Sequence, residues 1–211
     1  MPTRKSPTPA ISGRKAAYVA RNRAALIKAT QGVLAEIGPD ASIEEFAEAA
    51  QISVSTIYKH FENKDALIDA AFIEAFSDWE AWADEALGKI KDPLEELVAP
   101  MRLFLRLKRT HPLYAGMNAR NFPNLGKYLS ANTQNLQIHV KELHDAKIIT
   151  CENIPIRVRS ISAALLAALG DQFFNPDAQE SDGDLAIEVI LDLLSIPPAK
   201  VKKLAHSPLT V

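Results

Sequence analysis

The chain has 211 residues, of which 47% are hydrophobic and 24% are charged, a balance that excludes a disordered or low-complexity protein. Only 8 residues are glycine, which argues against an all-β fold because tight hairpin turns depend on glycine. The formal net charge of −2, taken alone, argues against binding to nucleic acid.

The charge is distributed unevenly along the chain. The first 35 residues carry seven basic side chains and no acidic one, and residues 1–68 have a net charge of +2. Residues 69–211 have a net charge of −4. A basic N-terminal segment on an acidic body indicates an anionic partner that the total charge conceals.

The two ends of the chain and its cysteine content limit the classes of protein to which it can belong. Residues 1–13 are rich in Pro, Ser and Thr and predict a flexible N-terminal arm, and residues 197–211 predict a loose C-terminal tail. The single cysteine, Cys151, cannot form an internal disulfide, which predicts a reduced, cytoplasmic protein. Its thiol is either incidental or a redox sensor. No run of about 18 apolar residues occurs, so no membrane span is predicted.

The first predicted elements are helices with clear end signals. Apolar residues recur at steps of three and four over residues 26–37, and Gly38 ends this helix. Ser42 and Glu45 have the spacing of a capping box, which predicts a short second helix.

Two further caps follow this short helix. After a break at residues 51–53, Ser53 is expected to cap a second short helix that runs through His60. Asn63 is the expected cap of a long fourth helix over about residues 64–90. The remaining periodic stretches predict helices at about residues 92–109, 124–146, 154–174 and 184–194, and His111 and Pro112 begin a short, irregular helix. The sequence thus predicts an all-α fold of about nine helices.

Residues 42–60 have the pattern of a helix-turn-helix. On its second helix, Ile57 and Phe61 are four residues apart and are predicted to share the buried face. The opposite face is predicted to carry Val54, Ser55, Tyr58 and Lys59. Hydroxyl groups suit phosphate oxygens, and serine or lysine can reach base edges in the major groove. The alternative is a helical bundle whose polar face is only solvated.

The same segment resembles the N-terminal domain of TetR-type transcriptional regulators over about residues 20–68. The positions that carry the resemblance are Arg23, Leu26, Ile27, Ala29, Gly38, Ser42–Ala47, Ala50, Ile52, Ser53, Thr56–Tyr58, His60, Phe61, Lys64, Asp65 and Leu67. The family usually has glycine where this chain has Gln51. If the backbone there is left-handed, glutamine costs about 1–2 kcal/mol relative to glycine.

The resemblance implies a three-helix DNA-binding domain over residues 14–63 and a ligand-binding and dimerisation domain over residues 64–196. It implies a homodimer on double-stranded DNA with a palindromic operator. The residues it places at the DNA are Ser42, Ser53, Val54, Ser55, Thr56, Tyr58, Lys59, His60 and Lys64. Some relatives use a basic arm in the minor groove, a role that Arg14, Lys15 and Arg21 can fill, unless the start of the chain only aids solubility.

The dimer interface is predicted from two helices that are apolar nearly all round. Small residues at positions 160–170 allow close helix approach, and two helices from each chain would form a four-helix bundle. The predicted interface residues are Ala163, Leu166, Ala167, Gly170, Ile187, Ile190, Leu191 and Leu194. The alternative is the buried core of a monomer.

An effector pocket is predicted between the fourth and eighth helices, for an apolar or aromatic small molecule. The candidate lining residues are Trp79, Trp82, Met101, Phe104, Leu105, His111, Tyr114, Met117 and Phe122, with Asn118, Asn121 and His139 as further polar groups that can orient a ligand. Each of these residues can instead be ordinary core.

No metal-binding, nucleophile or phosphate-loop motif occurs, so neither a cofactor nor an enzymatic activity is predicted. The sequence therefore predicts a transcriptional repressor that an effector releases from DNA by shifting the fourth helix. The alternatives are a DNA-binding architectural or protein-gated regulator of the same fold without a small ligand, and a helical enzyme.

Overall fold

The computed structural model describes the backbone of residues 10–121 and 125–209 and the side chains of residues 16–121 and 133–209. This part of the chain is all-α, as predicted, and contains eleven helices and no strand. The helices are α1 (Ala10–Glu36), α2 (Ile43–Ala49), α3 (Val54–His60), α4 (Lys64–Leu87), α5 (Pro93–Phe104), α6 (Leu107–Thr110), α7 (Pro112–Arg120), α8 (Leu125–Asp145), α9 (Ile154–Phe174), α10 (Glu180–Asp192) and α11 (Pro198–His206).

The N-terminal helices meet around Phe46 and Ile57, both fully buried, and Phe61 joins them at the end of α3. The predicted capping box of α2 is confirmed: Glu45 N–H donates to Ser42 Oγ at 3.3 Å and Ser42 N–H donates to Glu45 Oε2 at 2.6 Å. These contacts fix where α2 begins and therefore how α3 is presented.

The structure agrees with the sequence at the turn before α3 and at the cap of α4, but not at the cap of α3. Gln51 adopts the left-handed conformation at φ +55°, at the position where TetR-type regulators usually have glycine. Asn63 caps α4, since its Oδ1 accepts from Ala66 N–H at 2.8 Å. The expected side-chain cap by Ser53 is wrong, because its hydroxyl pairs instead with the hydroxyls of Ser55 and Thr56.

Both predicted chain ends need correction. Helix α1 begins at Ala10, within the segment 1–13 expected to be a flexible arm, so Arg14 and Lys15 lie on a helix; residues 1–9 lie outside the described residues. The predicted loose tail 197–211 contains α11, whose Val201, Leu204 and Ala205 are buried. Pro198 is compatible with α11 because proline fits the first turn of a helix.

The helix predicted over residues 92–109 is divided into α5 and α6. The Arg106 side chain explains the break, because its Nη1 donates to Arg102 O at 3.1 Å. The backbone N–H of Arg106 bonds instead to Leu103 O at 3.0 Å, three residues back. This turn and the separate helix α11 account for the two helices beyond the predicted nine.

Helix α7 joins the two halves of the molecule. Gly116 lies so close to α1 that a Cβ there would stand 2.9 Å from Ala35 O. Arg120 Nε also donates to Ala35 O at 2.7 Å. A helix of the C-terminal body is therefore packed directly against the first helix of the N-terminal domain.

Candidate nucleic-acid interface and ligand cavity

The outer face of α3 carries Ser55, Tyr58 and Lys59, all exposed, with 52% of Tyr58 accessible. Thr56 and His60 are half-buried at its sides. Val54 was predicted on this face, but it packs partly against the core. Two hydroxyls, a phenol and an ammonium therefore project from one side of α3 or its edge, which suits contacts with phosphates and base edges.

Three hydroxyls form a short chain at the start of α3. Ser53 Oγ lies 2.9 Å from both Ser55 Oγ and Thr56 Oγ1. Mutual hydrogen bonds restrict the rotation of these hydroxyls, and hydroxyl groups act as donors and as acceptors. The chain thus offers an ordered polar edge beside Tyr58 and Lys59.

Ser42 and Lys64 have partners within the protein. Ser42 Oγ donates to Glu45 Oε2 at 2.9 Å, and hydrogen bonds from Ser42 hold the pKa of Glu45 below its usual value. Lys64 Nζ donates to Pro39 O at 3.0 Å and to Ala41 O at 2.7 Å. Lys64 was predicted to meet a phosphate, but here its ammonium holds the loop between α1 and α2 in place.

Helix α1 contributes further positive charge near α3. Arg21 and Arg23 are exposed, and the Arg23 guanidinium lies 5.0 Å from the centre of the Phe61 ring. That contact holds Arg23 at the C-terminal end of α3. The side chains of Arg14 and Lys15 lie outside the described residues.

A cavity of about 570 Å³ lies among α4, α5, α7, α8 and α9. Of the residues predicted to line a pocket, it contains Trp79, Met101, Phe104, Tyr114, Asn118, Asn121 and His139. The residues that the sequence analysis missed are Asp69, Phe72, Ile73, Phe76, Glu96, Leu97, Pro100, Asn135, Leu136, Ser162, Leu165 and Leu166. The sequence contains a pattern that could have identified several of them, because the spacing of residues 69, 72, 73, 76 and 79 places them on one face of α4.

The other predicted pocket residues lie elsewhere. The Trp82 ring packs edge-on against His111, with 4.8 Å between the ring centres. Leu105 lies against Gly183 of α10, and Met117 is buried in the core. Phe122 lies outside the described residues. Trp82 and Trp79 are three positions apart on α4, and only Trp79 faces the cavity.

Two polar groups of the cavity are deeply buried. Trp79 is 8% exposed, and its indole Nε1–H has no hydrogen-bond partner within the described part of the chain. Tyr114 is equally buried, which raises the pKa of its phenol and keeps it uncharged. Asn118 Nδ2 donates to the Tyr114 carbonyl at 2.8 Å, so this amide is held by its own helix.

The predicted dimer face is only partly where it was expected. Ala163, Ala167 and Gly170 are exposed or half-exposed on α9, and space around Gly170 is open. Leu166 lines the cavity instead. The other four predicted interface residues are buried in the protomer's own core, which corrects the prediction: Ile187, Ile190 and Leu191 on α10, and Leu194 just after it.

The apolar residues that α10 does expose are Leu185, at 54%, and Val189, at 71%. On α9 the exposed residues Ile156 and Phe174 flank the small residues named above. Apolar side chains are thus exposed on both helices, on faces that the protomer's own core leaves uncovered.

Cys151 is buried, and burial raises the pKa of its thiol. A raised thiol pKa reduces the reactive thiolate, which favours the incidental over the redox-sensing interpretation. Over residues 10–121 and 125–209, no helix is both long and apolar enough to cross a bilayer. The described residues also contain no group of three metal-ligating side chains.

Comparison with known proteins supports the resemblance found in the sequence. A model of the family described as bacterial regulatory proteins, tetR family, matches residues 26–71. A search of curated protein sequences gave no match. Solved structures with the same fold include RolR in complex with the ligand resorcinol, at 22% identity and a TM-score of 0.69, with 92% of this chain and 97% of that chain covered.

Two fatty acid regulators are also similar in structure. FadR from Bacillus halodurans has 17% identity and a TM-score of 0.65, with 90% of this chain and 97% of that chain covered. FadR from Bacillus subtilis in complex with stearoyl-CoA has the same identity and TM-score, with 81% and 97% covered. The chain therefore has the fold of solved TetR-like transcriptional regulators, and its residues 26–71 match the model of the tetR family of bacterial regulatory proteins.

Proposed function

We propose that the protein is a homodimeric transcriptional repressor of the cytoplasm, without enzymatic activity, which leaves a palindromic operator when a small molecule occupies the cavity. The observation that carries this proposal is that α4 begins at Lys64, directly after the helix-turn-helix ends, and lines the cavity further along its length. One continuous helix thus runs from the candidate DNA-binding domain to the cavity. The cavity favours this function over a regulator of the same fold without a ligand.

On DNA, the exposed face of α3 would enter the major groove. Ser55 and Lys59 are suited to base edges and Tyr58 to a phosphate oxygen. One helix of seven residues reads few base pairs, whereas two copies about 34 Å apart read a palindrome. Glu44, Glu45 and Glu48 lie nearby in the sequence and would restrain nonspecific binding through charge repulsion.

Tyr58→Ala is expected to weaken binding to every duplex by about tenfold, because a hydrogen bond to a charged phosphate is lost. Lys59→Ala is expected to change which sequences are preferred. Fluorescence anisotropy measures both effects on duplexes selected from a random pool. Lys108→Ala removes an exposed ammonium in the other domain and should change nothing. Unchanged affinity and preference in both α3 variants, with the dimer folded, would contradict the proposed DNA-binding face.

The homodimer would form through α9 and α10, as two helices from each chain. Its contact surface would be the exposed face described above: Ala163, Ala167 and Gly170 with Leu185 and Val189. This assignment replaces the α10 residues expected from the sequence. The four-helix bundle is retained, but α10 presents to the partner the face that carries Val189 instead of the face that carries Ile187.

Val189→Glu is expected to convert the dimer to monomer, because an unpaired carboxylate would be buried at the interface. Light scattering after size exclusion would show the mass fall from two chains to one. Ile37→Glu places the same charge on an exposed apolar site of the N-terminal domain and should leave the dimer intact. A Val189→Glu protein that stays dimeric at micromolar concentration would refute the assigned face.

Effector binding would act on DNA binding through α4 and α7, both of which line the cavity and touch the N-terminal domain. Thermodynamics requires that the ligand prefer the off-DNA conformation; a 100-fold preference corresponds to about 3 kcal/mol of coupling. RolR and FadR were solved with resorcinol and with stearoyl-CoA respectively, two different ligand chemistries on this fold.

A further inference from the structure

The cavity has a wall of aromatic rings centred on Trp79. Its ring centre lies 5.9 Å from that of Phe76, 6.0 Å from that of Phe104 and 6.3 Å from that of Tyr114. Rings at these separations pack in offset or edge-on geometry. A planar apolar ligand that joins the cluster would extend this packing.

The charged side chains among the described lining residues of the cavity favour an uncharged ligand over an anionic one. Asp69 is half-buried and Glu96 is exposed, and both line the cavity. The described lining contains neither lysine nor arginine, and its basic side chain is the imidazole of His139. A carboxylate or phosphate bound there would lose its hydration and, among these described lining residues, would meet the carboxylate of Glu96 and no guanidinium or ammonium partner.

The buried indole N–H of Trp79 favours a ligand that carries one hydrogen-bond acceptor. A buried N–H without an acceptor is unfavourable, so native structures rarely leave one without a partner. Trp79 Nε1–H is in this position, and its ring borders the cavity. A ligand oxygen that accepts this hydrogen bond would remove the penalty.

From these three features we infer that the effector is an uncharged aromatic compound with a hydroxyl or carbonyl oxygen that accepts a hydrogen bond from Trp79 Nε1. The inference rests on the proposed function, since it names the ligand class of the proposed effector site. A cavity of 570 Å³ lies within the range of pockets for small organic ligands.

Three probes with one ring system test each feature in turn: 2-naphthol is neutral with a hydroxyl, naphthalene lacks the oxygen, and 2-naphthoate is an anion. Equilibrium dialysis at neutral pH against the full chain measures their affinities. We expect 2-naphthol to bind about tenfold more tightly than either of the others, since one lost hydrogen bond or one buried unpaired charge is worth about that factor.

Trp79→Phe keeps an aromatic ring and removes the N–H. It should bring the affinity for 2-naphthol down to that for naphthalene and leave naphthalene binding nearly unchanged. Trp82→Phe is the matched control: Trp82 packs on His111 away from the cavity, so neither affinity should change. The difference between the two probes in the two variants isolates the hydrogen bond from ring packing.

Each contrary result has a distinct meaning. Binding of 2-naphthoate as tightly as 2-naphthol, or no binding of any of the three probes, would overturn the neutral-ligand inference. An equal loss of both neutral probes in Trp79→Phe would overturn the hydrogen bond. None of these outcomes affects the proposal that the protein binds DNA, because that proposal is tested by measuring duplex binding by the unliganded protein.

Discussion

Asp184→Ala is expected to lower the free energy of unfolding by about 3–5 kcal/mol, because it leaves the buried guanidinium of Arg102 without a carboxylate and that of Arg106 with only the more exposed Glu180, 3.7 Å away. Asp184 accepts from Arg106 Nη2 at 2.9 Å and from Arg102 Nε at 3.3 Å. The side chains of both arginines are less than a tenth exposed, and that of Asp184 is 15% exposed. Removing one partner of a buried ion pair is far more damaging than losing a surface pair.

The cluster connects three parts of the C-terminal domain. Burial lowers the pKa of Arg102 and the charge of Asp184 opposes that shift, so the carboxylate stabilises the charged form. Arg102 Nη1 also donates to Ser207 O at 2.7 Å, after α11. Asp184 therefore holds α10 to α5 and, through Arg102, to the end of α11.

Urea denaturation at a fixed protein concentration measures the effect, with Asp84→Ala as control because Asp84 is exposed on α4. The control should shift stability by less than about 0.5 kcal/mol. A similar small shift for Asp184→Ala would show that the arginines find water or another partner, and would contradict the role assigned to the cluster.

Gly116→Ala is expected to destabilise the protein by about 1–3 kcal/mol and to weaken operator binding. The added Cβ would stand 2.9 Å from Ala35 O and 3.0 Å from Ala35 Cβ, so α7 and α1 must separate. Since α1 packs against the helix-turn-helix, its displacement changes how α3 is presented to DNA. Crowding here outweighs the gain in helix propensity that alanine normally brings.

Gly32→Ala is the matched control on α1 itself. Nothing lies within 4 Å of a Cβ at Gly32, so the same substitution should stabilise the protein by about 0.5–1 kcal/mol. Thermal unfolding of the two variants should therefore move in opposite directions from the parent. A Gly116→Ala protein as stable as the parent and with full operator affinity would refute tight α1–α7 coupling.

The N-terminal domain could be predicted in detail because its signals are local. The capping box at Ser42, the cap at Asn63 and the i,i+4 pair Ile57 and Phe61 lie within one helix turn each. Val54 and Lys64 were harder, because what they contact is set by packing in three dimensions. Lys64 bonds carbonyls more than twenty residues away, which no local pattern shows.

The C-terminal domain could be predicted only in outline. On α10 both faces are apolar, and the pattern cannot tell which one enters the protomer's own core; the structure buries Ile187 and exposes Val189. Asp184 was missed because its arginine partners lie 82 and 78 residues away in the chain. The helical spacing of the residues of α4 that line the cavity can be recognised in the sequence. Whether Trp79 or Trp82 faces the cavity cannot, because that depends on how α7 packs against α4.

Selection of bound duplexes from a random pool by the unliganded protein tests whether two copies of α3 read two half-sites of one duplex. We expect an enriched palindrome with half-site centres about one helical turn apart, lost with Val189→Glu and altered with Lys59→Ala. A pool without enrichment, or an enriched single site that the monomeric variant binds equally well, would show that the two copies of α3 do not read the duplex together.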